Sequence, residues 1–135
     1  MRKINNVIIH CTDTYADMDI GIDTVRQWHV NERKWSDVGY HFLIRRSGEL
    51  EVGRAEQVAG AHAAGKNKHS IGVALVGGKG HGKELPTNFT VTQWSALEQL
   101  VRDLVDRYPK AEVIGHNDCS PKTCPTFDVK AWWQI

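Results

Sequence analysis

Apolar residues along this chain gather in several short, nearly continuous runs. Such runs are typical of strands that are buried on both faces of a sheet. Residues 6–11 contain Val-Ile-Ile, residues 70–76 read Ser-Ile-Gly-Val-Ala-Leu-Val, and residues 112–115 read Glu-Val-Ile-Gly. We predict a strand in each of these segments, with the strand at 70–76 in a central position.

A hairpin is predicted in the part of the chain that separates the segments 6–11 and 70–76. Residues 40–46 and 49–52 are two further strand-like runs, and Ser47-Gly48 between them is a turn sequence. Residues 77–88, which follow the strand at 70–76, are rich in glycine. They are expected to form a long loop.

The clearest helix is predicted over residues 91–108. Its apolar residues recur at spacings of three and four, which places them on one side of a helix. Pro109 ends it, because proline cannot continue the backbone hydrogen bonds. The apolar positions are Trp94, Leu97, Val101, Leu104, Val105 and Tyr108.

Two shorter helices complete the pattern. Asp23 is expected to cap a helix that runs to about Arg33, with Val25 and Trp28 on its inner side. A final helix is expected over residues 128–133. Strands interleaved with helices, together with one hairpin, predict an α/β fold with a mixed central β-sheet flanked by helices. The pattern does not give the strand order.

Length and charge narrow the classes of protein to which the chain can belong. A chain of 135 residues has the size of one domain, and we expect a single domain over residues 1–135. Its net charge is +1, and the charged residues are scattered. Proteins that bind nucleic acid usually carry a clear excess of lysine and arginine. We therefore expect no nucleic-acid partner.

The N-terminal residues and the cysteines indicate the compartment. Only three strongly apolar residues, 7–9, follow the charged start, too few for a signal-peptide core or a membrane span. We expect synthesis in the cytoplasm without a signal peptide and no membrane insertion. The three cysteines, Cys11, Cys119 and Cys124, favour a reducing compartment and a metal-binding or catalytic role over a disulfide framework.

Three candidate ligands for a soft metal ion lie at strand ends or in the loop after one. His10 ends the first predicted strand, His116 ends the last, and Cys124 lies in the loop that follows. Zinc prefers imidazole nitrogen and thiolate sulfur in a tetrahedral arrangement. Three protein ligands leave the fourth position open, as in catalytic zinc sites. Pro121 and Pro125 restrict the loop that carries the cysteine.

Each of these residues also has an ordinary structural interpretation. A histidine at a strand end is more often a hydrogen-bonded core or rim residue than a ligand. Cys124, next to a proline, is compatible with an inert buried thiol. Cys11 is expected in the core, because neighbouring strand residues point to opposite faces and His10 is its neighbour. Cys119 stays open between loop packing and a spare thiol.

Several motifs occur along the chain in a fixed order. They are Val7-Ile8-Ile9-His10-Cys11-Thr12, Gly39-Tyr40-His41-Phe42-Leu43-Ile44, Ala61-His62-Ala63-Ala64-Gly65, Ser70-Ile71-Gly72-Val73-Ala74-Leu75-Val76-Gly77, and Gly115-His116-Asn117-Asp118 through Cys124-Pro125. Together they resemble the N-acetylmuramoyl-L-alanine amidases of the type-2 amidase and peptidoglycan-recognition-protein superfamily, above all the small phage amidases called lysozymes. The resemblance covers nearly the whole chain, and the ordered set is much more specific than any one motif.

This resemblance implies an enzyme that hydrolyses the amide between N-acetylmuramic acid and L-alanine in bacterial peptidoglycan. It makes His10, His116 and Cys124 the ligands of one Zn²⁺ per chain, and Tyr40 and Lys122 the catalytic residues. A metal ion and an ammonium group can stabilise the oxyanion that forms when water attacks an amide. The phenol of Tyr40 can donate a hydrogen bond to that oxyanion or to the attacking oxygen. The residue that protonates the leaving amine stays open.

Without the resemblance, the two catalytic candidates have ordinary interpretations. Tyr40 is then a strand aromatic residue, and Lys122 is a solvated loop lysine. The resemblance also places His62 in the substrate groove, where the small residues 63–65 let a sugar-peptide strand approach the backbone closely. The alternative for His62 is a surface-loop histidine. His41 faces away from the site if its neighbour Tyr40 faces into it. His29 and the remaining histidines have no comparable case.

Residues 77–83 read Gly-x-x-x-x-Gly-Lys after an apolar strand, which is almost a phosphate-binding loop. The hydroxyl residue that should follow the lysine is replaced by Glu84, which repels phosphate. Pro86 argues against a helix beginning there, and such loops need a helix N-terminus. We therefore expect a flexible loop and no nucleotide site.

Three other interpretations accompany the amidase. A non-catalytic peptidoglycan-binding module of the same fold typically lacks the cysteine ligand, which this chain keeps as Cys124. A cytoplasmic muropeptide-recycling amidase generally uses a carboxylate as the third ligand. The resemblance also raises a phage RNA polymerase as a regulatory partner. We expect a monomeric phage or prophage lysis enzyme, made in the host cytoplasm, that acts on the cell wall after its release.

Overall fold

The computed structural model describes residues 2–80 and 87–134 of the chain. Strands and helices are interspersed along these two ranges. The strands are β1 (Asn6–Cys11), β2 (Thr14–Tyr15), β3 (Phe42–Ile44), β4 (Leu50–Val52), β5 (Ser70–Leu75), β6 (Gly78–Lys79) and β7 (Glu112–Gly115). The helices are α1 (Ile22–Gln27), which a π-helical turn at Trp28–Glu32 continues, α2 (Val91–Arg107) and α3 (Val129–Trp133).

The main sheet, as far as the described residues form it, has the strand order β4-β3-β5-β1-β7. Its neighbouring strands are parallel except for the β3–β4 hairpin, which is antiparallel. The mixed sheet flanked by helices and the hairpin are thus confirmed. β1 and β5 lie inside the sheet and are buried along almost their whole length, and this explains why their sequences are continuous apolar runs.

The long helix α2 packs on the sheet through the predicted apolar stripe. Leu97, Val101 and Leu104 are fully buried. Thr90 caps the helix, because its Oγ1 accepts the N–H of Gln93 at 3.0 Å and its own N–H donates to the Gln93 side chain at 3.0 Å. Within the two described ranges, no helix has both the length and the apolar character that crossing a membrane requires.

The first helix differs from its prediction at the N-terminus. Gly21 is the N-cap, and Asp23 lies within the first turn, where it pairs with Arg26 at 2.9 Å. The N–H of Ile22 donates instead to Oε1 of Glu51 at 3.0 Å. The predicted cap at Asp23 is therefore wrong, because a carboxylate from the distant strand β4 satisfies the free N–H group.

The glycine-rich segment after β5 contains a short strand. β6 pairs in parallel with β2, so the prediction of an uninterrupted loop over residues 77–88 is wrong at Gly78–Lys79. Gly78 has a φ of +93°, a conformation that favours glycine. The Lys79 ammonium lies 4.9 Å from the centre of the Tyr15 ring and adds a contact between the two strands. The rest of the phosphate-loop pattern, residues 81–86, lies outside the described residues.

Candidate active site

The three predicted metal ligands converge at one edge of the main sheet. β1 and β7 are parallel neighbours, so their carboxyl ends meet at the same edge. His10 in β1 therefore lies beside His116, the residue after β7, with 4.5 Å between the ring centroids. The loop after His116 brings Cys124 to the same place.

The geometry of this group fits a zinc ion. The candidate ligand atoms of His10, His116 and Cys124 all lie within 4.8 Å of one another. In a tetrahedral zinc site with bonds of about 2.0–2.3 Å, the ligand atoms are roughly 3.3–3.8 Å apart. Small side-chain movements are enough to bring these three onto one ion. Two imidazoles and a thiolate are also a donor set that zinc prefers.

Cys124 is prepared to be a thiolate, the form in which cysteine binds metal. A hydrogen bond with the Cys11 thiol is the largest cause that lowers the pKa of Cys124, and burial opposes it. Hydrogen bonds with His10 and His116 lower the pKa of Cys124 further. The backbone N–H of Cys11 also points at the Cys124 sulfur, at 3.1 Å.

Cys11 lies in the core, as predicted, but it also borders the site. Its side chain packs in the main hydrophobic cluster. The hydrogen bond with Cys124, followed by burial, raises the pKa of the Cys11 thiol far above its ordinary value, so this thiol stays protonated. Because Cys11 is the last residue of β1, the loop can reach around the strand end to contact it. Cys119 packs near Ile8 and Ile114, which is the loop-packing interpretation.

Polar contacts at both ends hold the loop that carries Cys124. Near its start, Oδ2 of Asp118 accepts the N–H of Gly115 at 2.8 Å. Near its end, Nδ2 of Asn117 donates to the carbonyl of Phe127 at 3.2 Å. These bonds join the loop to itself and to β7, and so they fix the position of the cysteine relative to the strand ends.

Tyr40 lies beside the candidate ligands, although it does not open a strand as predicted. β3 begins two residues later, at Phe42, because the ladder with β5 starts at the N–H of His41, which donates to the carbonyl of Gly72 at 2.9 Å. The centroid of the Tyr40 ring lies 5.2 Å from the centroid of the His10 ring. Burial raises the pKa of Tyr40, so its phenol remains a hydrogen-bond donor at neutral pH.

His29 is a wall residue of the site to which the sequence pattern assigns no role. Its Nδ1 accepts the N–H of Gly39 at 2.8 Å, and its ring lies 5.5 Å from that of Tyr40. Burial lowers the pKa of His29 to about 4, so the ring is neutral at pH 7 and its proton is on Nε2. A signal is nevertheless present in the sequence, because His29 is four residues after Val25 and shares its inner face.

Lys122 lies at the exposed rim of the site, two residues before Cys124. Its backbone N–H donates to Oγ of Ser120 at 3.2 Å, which bends the loop at this point. Burial lowers the pKa of His10, and the positive charge of Lys122 contributes to the same shift. The Lys122 ammonium is therefore close enough to His10 to contribute, after burial and His116, to lowering the pKa of that ring.

His62 is buried behind His10 and is only 8% exposed. Its Nδ1 lies 2.8 Å from Nε2 of His10, and its Nε2 lies 3.1 Å from Oγ of Ser70. The surface-loop interpretation of His62 is therefore wrong. Its ring does border the cavity over the candidate ligands, and a contact with substrate stays a prediction.

A cavity of about 470 Å³ opens over the three candidate ligands, within the size range of small-molecule sites. Its wall includes Tyr40, His62, Lys122 and His29, together with Arg33 and Trp35. A groove of about 360 Å³ continues from it past the small residues Ala63 and Ala64. The ring of His41 is buried elsewhere, with its Nδ1 accepting the N–H of Gly72 at 3.0 Å.

Comparison of the sequence with known proteins identifies its family. The family model for N-acetylmuramoyl-L-alanine amidase matches residues 1–127. The endolysin of Klebsiella phage KP32 is 44% identical over 133 residues, which cover 98% of this chain and 87% of that protein. The endolysin of Escherichia phage T7 is 43% identical over 128 residues, which cover 95% of this chain and 84% of the relative.

Solved structures extend the likeness to the fold. The N-acetylmuramoyl-L-alanine amidase LysC from Clostridium intestinale URNW superposes with a TM-score of 0.82 at 27% identity, covering 99% of this chain and 87% of that one. Drosophila PGRP-LB superposes with a TM-score of 0.77 at 28% identity, covering 98% and 80%. The chain therefore belongs to the N-acetylmuramoyl-L-alanine amidase family, within the superfamily of type-2 amidases and peptidoglycan-recognition proteins. Its reaction is hydrolysis of the amide between N-acetylmuramic acid and L-alanine in peptidoglycan.

Proposed function

We propose that this amidase depends on one zinc ion, bound by His10, His116 and Cys124, and that it serves as a phage or prophage lysis enzyme. The observation that carries the proposal is the convergence of three soft ligand atoms within 4.8 Å beneath a cavity. The lytic role is supported by the two phage relatives, both of which are endolysins. When bound, zinc supplies the Lewis acidity that polarises a carbonyl and activates water at neutral pH.

The chain's own side chains provide the rest of the chemistry. The Tyr40 phenol, which burial keeps protonated, donates a hydrogen bond to the oxygen of the amide under attack. The Lys122 ammonium at the rim places a positive charge near the oxyanion as it develops. His62 borders the groove, where the small residues Ala63 and Ala64 leave room for the sugar-peptide strand.

Replacement of the cysteine ligand tests the zinc proposal. Cys124→Ser should lose zinc and nearly all hydrolysis, because a serine hydroxyl does not provide the thiolate that the site is built to stabilise. Metal analysis of the purified protein should find one zinc per chain in the wild type. Digestion of purified peptidoglycan should release peptides with a free L-alanine amino terminus, and a chelator should stop this release.

Cys119→Ser is the matched control, because Cys119 lies in the same loop but outside the group of candidate ligands. It should keep both zinc and activity. A Cys124→Ser protein with full zinc content and full activity would show that the ligand assignment is wrong.

The same assay separates the proposed function from its two rivals. A non-catalytic peptidoglycan-binding module would retain zinc or peptidoglycan without releasing peptides. A muropeptide-recycling amidase would cleave soluble anhydro-muropeptides in preference to intact wall. The cysteine at position 124 supports the lysis enzyme over both, since the first rival typically lacks this ligand and the second generally has a carboxylate there.

We further propose that the enzyme is a monomer that reaches the cell wall after release from the host cytoplasm. Size-exclusion chromatography with light scattering tests the monomer. A phage RNA polymerase as regulatory partner stays a prediction from the family resemblance, and binding of the purified polymerase to immobilised amidase tests it.

A further inference from the structure

We propose that His62 is a positioning residue that fixes the tautomer and the ring orientation of His10, so that Nδ1 of His10 is the nitrogen that binds the metal. The proposal rests on the proposed zinc function. Its basis is a buried chain of contacts in which His10 Nε2 lies 2.8 Å from His62 Nδ1, and His62 Nε2 lies 3.1 Å from Ser70 Oγ.

Only one placement of the protons on the His10 and His62 rings leaves His10 able to bind a metal. A neutral imidazole has one donor nitrogen and one acceptor nitrogen. With its proton on Nε2, His10 donates to His62 Nδ1, and His62 then carries its own proton on Nε2 and donates to Ser70 Oγ. If His62 Nδ1 donated to His10 Nε2 instead, the proton of His10 would be on Nδ1. Nδ1 is the only ring nitrogen of His10 that His62 leaves open to a metal, so His10 could then not bind one.

Burial strengthens the hydrogen bonds that join His10, His62 and Ser70, and it keeps water from replacing them. His10 is 2% exposed, His62 8% and Ser70 0%. Hydrogen bonds in such a surrounding are stronger than in water, and an unpaired polar atom there is costly. A His10 ring turned the wrong way would therefore leave His62 without its partner.

His62 is itself held in place from two sides. Oδ1 of Asn67 accepts the backbone N–H groups of His62 and Ala63, at 2.8 and 2.9 Å. Behind the ring lies Gly72, where an added Cβ would come within 2.6 Å of the imidazole. The imidazole cannot withdraw into the sheet, so its Nδ1 remains directed at His10.

The expected consequence is a change in zinc affinity. Loss of such an outer partner typically weakens metal binding by about 10–100-fold, and we expect this loss in His62→Leu. His62→Asn should recover most of it, because the amide oxygen can accept the proton of His10 at the place of Nδ1. Ser70→Ala removes only the last hydrogen bond of the series from His10 through His62 to Ser70. It should therefore weaken zinc binding less than His62→Leu.

Zinc titration against a chromogenic chelator measures these affinities on metal-free protein, with thermal unfolding to confirm that each variant is folded. His69→Asn is the matched control, since His69 bonds the carbonyl of Lys3 away from the site. Zinc binding by folded His62→Leu within twofold of the wild type would overturn the positioning role and leave the zinc proposal intact. A wild type that binds no zinc would overturn the zinc proposal itself.

A second measurement needs no variant and decides the case even if His62→Leu does not fold. Long-range ¹H–¹⁵N spectra of the zinc-loaded wild type report which imidazole nitrogen carries the proton. The expected result is a His10 protonated at Nε2 with its Nδ1 on the metal. A His10 protonated at Nδ1 would overturn the proposal.

Discussion

Lys122 and Cys124 are two positions apart in one loop, yet their substitution should affect different properties. Lys122 is exposed at the rim of the cavity, and it does not belong to the group of candidate metal ligands. Lys122→Ala should therefore keep zinc but lower kcat by roughly 10²-fold, the usual cost of losing one group that stabilises an oxyanion. Steady-state hydrolysis and metal analysis of the same preparation measure the two effects.

Lys110→Ala is the comparison for that variant, because Lys110 is an exposed lysine in the turn after α2, outside the residues that line the cavity. It should leave both kcat and zinc content unchanged. Loss of zinc from Lys122→Ala would mean that the lysine shapes the loop around Cys124 and does not act on the substrate.

The sequence predicts the site residues whose chemistry is distinctive and misses those whose role depends on position. Two histidines and a cysteine near strand ends suggest a soft metal site from residue type and spacing alone, and the fold brings these three together. Cys11 lies in the core, as its place beside His10 on a strand predicts, but its contact with Cys124 depends on a loop 113 residues away in sequence. No local pattern contains a contact of that kind.

The N-terminus of α2 offers a test at the scale of one element. Thr90 accepts the N–H of Gln93, and its Oγ1 also donates to the carbonyl of Arg46 at 2.7 Å. Thr90→Ala should lower the free energy of unfolding by about 1 kcal/mol, the typical cost of losing an N-cap. Urea unfolding followed by circular dichroism measures the change. Ser95→Ala, at an exposed position within the same helix, should change stability by less than about 0.5 kcal/mol.

Strands and helices can be predicted where their burial leaves a clear pattern in their own residues. β1 and β7 have the predicted bounds. β1 lies inside the sheet, and β7, although it is an edge strand, is buried at three of its four residues. Buried strands of a parallel sheet have unbroken apolar runs. The pairing of β2 with β6 could not be predicted, since strands of two residues show no periodicity. The cap of α1 could not be predicted either, because Glu51 reaches it from another part of the chain.

At the scale of the whole molecule, the strand order determines where the site forms. β1 lies between β5 and β7, and a parallel arrangement puts the carboxyl ends of all three at one edge. His10 and His116 meet because their strands are neighbours, although 106 residues separate them in the chain. The pattern of apolar runs indicates the fold class but not this order. Residue type and spacing therefore suggest a metal site, but they do not show that β1 and β7 are neighbours, and the family resemblance makes the expectation specific to these three ligands.

The stability of the whole chain should depend on pH through His29. Burial, followed by the charges of Arg33 and Arg54, lowers the pKa of His29 to about 4, whereas an unfolded histidine titrates near 6.5. Between these values the unfolded chain binds a proton that the folded chain does not bind. Stability from this residue is therefore constant above about pH 6.5 and is lost as the pH falls toward 4, at up to about 1.4 kcal/mol per pH unit.

His29→Asn isolates this contribution, because its amide oxygen can still accept the N–H of Gly39 but does not titrate. Urea unfolding at pH 7.5, 6 and 5, with chelator present so that metal binding does not contribute, should give a shallower loss of stability for the variant than for the wild type. Other buried histidines, such as His41, also have lowered pKa values, so the difference between the two proteins is the relevant quantity. His69→Asn, which replaces a histidine outside the cavity wall, should keep the dependence of the wild type. If the free energy of unfolding fell equally with pH in the wild type and in His29→Asn, His29 would already be protonated in the folded chain above pH 5. The assignment of His29 as a neutral ring on the cavity wall would then be wrong.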